Sequence, residues 1–133
     1  MTKNKKQTHH LSHKQKSQLK KWSEEAQIVM NMQNWDITLQ YIDESCDGLF
    51  MQARTQQDYL RLVIVIFEKN TLDTWKSDGD DFIEQGIYHE ICHALHAEFR
   101  ALAFKRFVND QQLYDAEERM CESFARIIYK LKK

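Results

Sequence analysis

Apolar residues recur at helical spacing from about Ser17 to Met32, where Leu19, Trp22, Ala26, Val29 and Met30 share one face and Lys20, Lys21, Glu24 and Glu25 lie away from it. This is the stripe of an amphipathic helix packed on a core. After Gln33-Asn34 the period falls to two: Ile37, Leu39 and Tyr41 alternate with Thr38 and Gln40, as in a half-buried strand. Asp47-Gly48 signals a turn, a short strand from Leu49 to Ala53 is expected to pair back on the first, and Thr55 to Asp58 supplies a second polar turn. Leu60 to Phe67 has the highest strand propensity in the chain. The three strands read as a meander, and the near-continuous apolar run of the third implies either cover on both faces or an edge awaiting a partner.

Beyond a loop at Ser77 to Asp80, Asp81 with Glu84 three residues later fits a capping box opening a helix. Nothing breaks that helix before Asn109-Asp110, so it can run past Arg100 toward Val108, with Phe99, Leu102, Ala103, Arg106 and Phe107 as a packing face. A last helix, from about Gln112 to Leu131, carries Leu113, Ala116, Met120, Cys121, Phe124, Ile127, Ile128 and Leu131 on one stripe. The absence of proline, with only three glycines, leaves these helices uninterrupted. The pattern predicts an α+β fold: an N-terminal helix, a small three-stranded sheet and two long helices.

At 133 residues the chain is sized for one domain. Residues 1–16 are lysine- and histidine-rich, lack acids and read as a solvated basic arm, leaving 17–133 as the domain. A net charge of −1 points to no polyanionic partner, so no nucleic-acid role is expected. No apolar run approaches the roughly 20 residues of a membrane span, and no secretory signal pattern follows the N-terminal lysines. The odd set Cys46, Cys92 and Cys121 argues against a disulfide framework. A cytoplasmic protein with no membrane partner is the expectation.

The chemistry centres on His89-Glu90-Ile91-Cys92-His93, an H-E-x-x-H string inside a helical stretch. Residues four apart on a helix share a face about one turn from each other, so both imidazoles can reach a single ion. Glu90, about 100° round the helix, falls where a carboxylate can take a proton from a water held beside that ion. A catalytic zinc site uses three protein ligands and one open position. His96, Asp115, Glu117, Glu118 and Glu122 are the candidates for the third. Helical projection sets Glu118 and Glu122 toward the apolar stripe and Glu117 toward the outer side. Cys92 reads as a buried thiol, with Cys121 packed near it.

The extended H-E-x-x-H-x-x-G-x-x-H pattern of metzincins is absent, since His96 and Phe99 occupy its glycine and third-histidine positions. Glu118-Arg119-Met120-Cys121-Glu122-Ser123-Phe124-Ala125 instead resembles the E-x-x-A-D-x-x-A segment of gluzincin metallopeptidases, with Cys121 for the first alanine and Glu122 for the aspartate. The order of elements over about residues 17 to 130 is likewise similar to minimal gluzincins and to short phage-borne or bacterial metallopeptidases. The resemblance implies a zincin-like fold and one Zn2+ held by His89, His93 and Glu118. It also implies that Glu122 orients a ligating histidine, that Glu90 serves as general base and acid, and that the substrate is a protein or peptide. Tyr114, Tyr88 and His96 are the candidates for a transition-state donor. The expected function is peptide-bond hydrolysis in the cytoplasm, a host cytoplasm if the chain is phage-encoded, with the edge of the Leu60 to Phe67 strand aligning substrate. A non-catalytic, zinc-stabilised protein-binding module is the alternative.

Overall fold

The computed structural model describes residues 10–44, 48–56, 59–97 and 109–132. The first helix, α1 (His13–Val29), begins before the apolar stripe. Ser12 caps it: its Oγ accepts the Gln15 N–H at 3.1 Å, while the Gln15 side chain accepts the Ser12 N–H at 2.8 Å, a reciprocal capping box. Just ahead, Leu11 is buried, and the buried Glu68 carboxylate accepts the Leu11 N–H at 3.3 Å and contacts His10 Nδ1 at 2.6 Å. The expected basic arm of residues 1–16 therefore does not extend to residue 16, because residues 10–16 are tied down by this cap and carboxylate. Residues 1–9 lie outside the described part.

The sheet holds β1 (Asp36–Ile42), β2 (Met51–Gln56) and β3 (Arg61–Phe67) in the order β1-β3-β2. β3 pairs in parallel with β1, Asp36 opposite Arg61 and Ile42 opposite Phe67, and antiparallel with β2, Met51 opposite Ile66. The expected meander, with β2 paired to β1, is thus corrected. β3 carries the fully buried Leu62, Ile64, Val65 and Ile66, and the most apolar strand takes the centre, where both of its edges are paired and burial is greatest. The more polar β1 and β2 take the edges.

A helix that the apolar pattern did not announce, α2 (Glu68–Asp78), follows β3 without a loop. Thr71 Oγ1 donates to Phe50 O at 2.8 Å, fixing α2 against the lead-in to β2. Gly79 ends α2 and starts α3 (Asp80–Leu95) with φ 86° and ψ −178°, a region open essentially to glycine alone. Nothing lies within 4 Å of a Cβ added there, so backbone strain is the whole cost. Gly79→Ala is expected to lower stability by about 1–3 kcal/mol, read as a lower urea midpoint with an unchanged slope. The Asp81/Glu84 capping box does not form, since no side chain caps α3. Both carboxylates instead meet Tyr129 Oη, at 2.9 and 3.3 Å.

α3 is the central element, with Ile83, Ile87, Tyr88, Ile91, Cys92 and Ala94 buried. It packs on α1, α2, the sheet and the last helix, α4 (Asp110–Lys132). It ends at Leu95, with His96 as its C-cap, so it does not run on toward Val108. The Phe99 to Phe107 face lies in 98–108, outside the described residues. The expected stripe of α4 holds at Leu113 and Cys121, which are buried together with Ala125 and Tyr129, but not at Phe124, Ile127 and Leu131, which are exposed. Small Cys121 and Ala125 let α4 approach α3, and that approach puts the acids flanking them against the histidines of α3. Among the described residues no helix is long and apolar enough to cross a membrane.

Candidate metal centre

His89 and His93, one turn apart on α3, present their rings to α4 with centroids 5.1 Å apart. Glu118 lies opposite them, Oε2 at 3.3 Å from His89 Nε2 and Oε1 at 2.9 Å from His93 Nε2. Donor atoms of these three residues all fall within 4.8 Å of one another. With ligand bonds of about 2.0–2.1 Å and tetrahedral angles, neighbouring donor atoms stand about 3.4 Å apart. The two distances to Glu118, each to a different carboxylate oxygen, are of that order. The Glu118 side chain is 35% exposed, so the site is open on that side to a further ligand.

The other ring nitrogens are occupied too. His89 Nδ1 is 2.8 Å from Glu122 Oε2, and His93 Nδ1 is 2.7 Å from Glu117 Oε1. A carboxylate on Nδ1 favours a proton there, the arrangement in which Nε2 could serve as a metal ligand. Glu122 is itself held by Arg126, Nε to Oε1 at 2.9 Å. Glu117 is the correction here. Expected on the outer side of its helix, it is buried to the same degree as His93, each side chain being 11% exposed. The signal was present in the spacing: Glu117 stands four residues before Cys121 and eight before Ala125, the residues at the centre of the α4 contact. Asp115 faces outward, where Gln111 donates to it.

Glu90 is 8% exposed. Burial pushes its carboxyl above the usual range, opposed by His89 and His93, raised further by Glu118 and lowered by the Ala53 N–H donated from β2. The carboxylate therefore sits between the histidines and the outer edge of the sheet. Burial disfavours the charged form of His93, but the Glu117 bond and the charges of Glu90, Glu118 and Glu117 outweigh it, so its pKa is raised. The acids around it favour cationic charge at this point, the sign a metal ion supplies.

A second grouping, His93, Glu117 and Cys121, could also hold an ion. It is the weaker candidate, because Cys121 is fully buried and its thiol is pushed up chiefly by burial, which opposes the thiolate a metal requires. Cys92 is buried, as its place in the motif suggested, and its thiol is pushed up to about 12 by burial. Cys46 lies outside the described residues.

Of the three candidate donors, Tyr114 is the one that reaches the centre. Its phenol pKa is raised, first by the charge of Glu118, to which it is hydrogen-bonded. Tyr88 is fully buried, edge-on to Tyr129 at 5.8 Å. His96 stacks near Phe124 at 5.2 Å, and burial lowers its pKa. The strand expected to align substrate, Leu60 to Phe67, corresponds to central β3 and has no free edge; the edge beside α3 is β2. No protein-family model, curated protein or solved structure matches the chain.

Proposed function

We propose that the chain is a zinc-dependent peptidase of zincin-like architecture, with one Zn2+ held by His89, His93 and Glu118. The observation that carries this reading is the convergence of two Nε2 atoms and one carboxylate from separate helices, with both Nδ1 atoms taken by carboxylates. A purely structural ion pair accounts for one histidine–glutamate contact, whereas Glu118 meeting both Nε2 atoms while other carboxylates hold both Nδ1 atoms fits an ion. A zinc ion bound there supplies a Lewis acid for a peptide carbonyl and makes a neighbouring water more acidic.

The protein's own groups do the rest. Glu90 accepts a proton from the attacking water at its carboxylate and delivers it to the leaving amide nitrogen. A pKa raised by burial suits a group that must alternate between base and acid. The outer edge of β2, whose Ala53 N–H already points at Glu90, would align an extended substrate by backbone pairing. Tyr114, beside Glu118, would donate toward the oxygen that gains charge.

The direct test is incubation of the purified full-length chain with an unfolded protein such as reduced casein. Fragments are expected to accumulate with zinc, to stop after chelation and to return when zinc is restored. Unaltered casein under all three conditions would refute the reading. A subtler expectation concerns Glu117. Replacing it with Ala should weaken zinc binding about 10–100-fold, measured by competition with a chromophoric chelator, while Gln, which keeps an acceptor for His93 Nδ1, should recover most of the loss.

A further inference from the structure

Next to the candidate metal centre, the lead-in to β2 and the first half of α3 flank a half-open hollow of about 260 Å³, which His89 and Glu90 also line. Its walls are largely apolar. Phe50 and Phe82 stand with ring centroids 5.7 Å apart, tilted by 36°, and Met51 closes one side. Whole small-molecule sites usually occupy about 300–1,000 Å³, so this space is scaled to one side chain. Arg126, tied to Glu122, stands at the rim.

Gly86 shapes the hollow. A Cβ built on it would lie 2.8 Å from Phe50 Cε2 and 3.0 Å from Cζ, closer than packed carbons approach. The Phe50 ring rests on the bare backbone of α3, and a glycine inside a helix is less favourable than alanine. The helix thus accepts a less favourable residue at the position that lets Phe50 lie back and keeps the space open. A closed core would have filled it. Phe82, 44% exposed, adds an aromatic wall with little burial of its own.

We infer that this hollow is the specificity pocket of the chain, receiving a large apolar side chain, Phe or Leu in character, from the residue beside the scissile bond. The inference rests on the peptidase reading for the position of that bond. Its continuity with Glu90 and His89 selects a peptide as the occupant. An apolar wall favours such a side chain over a carboxylate, since Arg126 at the rim is already engaged by Glu122. Gly86 and Phe82 are its determinants.

The test separates binding from cleavage. Zinc-loaded, full-length Glu90→Gln protein is titrated by NMR with the pentapeptides acetyl-Gly-Gly-X-Gly-Gly-amide, where X is Phe, Leu, Ala or Asp. Phe and Leu are expected to bind roughly tenfold or more tightly than Ala or Asp. Added separately, Gly86→Ala, which drives the Phe50 ring into the hollow, and Phe82→Ser, which removes a wall, should each flatten that preference. Gly86→Ala favours the helix and Phe82→Ser removes a half-exposed ring, so thermal melts should show both variants folded. Binding indifferent to X, no binding, or a preference intact in both variants would overturn the inference. Cleavage of the same peptides by the unaltered chain, read by mass spectrometry, judges the peptidase reading independently. Selective binding without cleavage would refute hydrolysis and leave the pocket standing, whereas cleavage indifferent to X would do the reverse.

Discussion

Glu90→Gln is expected to leave the zinc content and the fold unchanged while lowering peptide hydrolysis by on the order of 10²–10⁴. The substitution keeps the shape of the side chain and an oxygen that can accept the Ala53 N–H, but it removes the group that takes and returns the proton. Because Glu90 is nearly buried and its carboxyl is held above the usual range mainly by burial, its charged form is a liability to the metal-free fold. In that state the folded protein retains a proton that the unfolded chain has released, so stability falls as pH rises through the interval between the two pKa values. The glutamine variant should lack this decline. Its melting temperature without metal is accordingly expected to equal or exceed that of the unaltered chain above neutral pH. Equal cleavage by both proteins would show that the H-E-x-x-H string does not act as a proton shuttle, and would favour the zinc-stabilised binding module over the enzyme.

Glu118→Ala is expected to have the second large effect, on the ion itself. Two imidazoles on one helix supply only half of a tetrahedral set, and Glu118 is the group from the opposing helix that contacts both Nε2 atoms. Its removal should bring zinc from about one ion per chain to near none after dialysis, as measured by elemental analysis. Glu122→Ala should cost less, because Glu122 meets His89 only at Nδ1 and acts by orienting the ring. Equal losses in the two variants would count against Glu118 as the third ligand. The same measurement on Glu117→Ala should fall with Glu122→Ala.

The parts of this arrangement that could be read from the letters are those governed by short-range periodicity. A spacing of four between His89 and His93 dictates a shared helix face, and the resemblance of the segment from Glu118 to Ala125 to a known pattern indicated the carboxylate that meets them. The alternation of Ile37, Leu39 and Tyr41 likewise gave β1. Strand order was not legible, because β1-β3-β2 is decided by competition among strands for the most buried place, and β3 wins it through Leu62, Ile64, Val65 and Ile66. α2 escaped notice because only part of its surface is covered and its apolar content is low. Glu117 was misplaced for a related reason. The expected stripe of α4 included Cys121 but was drawn toward the large Phe124, Ile127 and Leu131, whereas the real contact is centred on Cys121 and Ala125, small residues whose contribution lies in permitting close approach. The capping box at Ser12 and Gln15 was present in the sequence but obscured by the lysines and histidines around it.

The measurement that bears most directly on this account is the position of zinc in crystals of the full-length chain, located by anomalous scattering at the zinc edge. One peak is predicted between His89 Nε2, His93 Nε2 and Glu118, about 2 Å from each donor atom. A peak instead among His93, Glu117 and Cys121, or only at the histidines near the N-terminus, would contradict it.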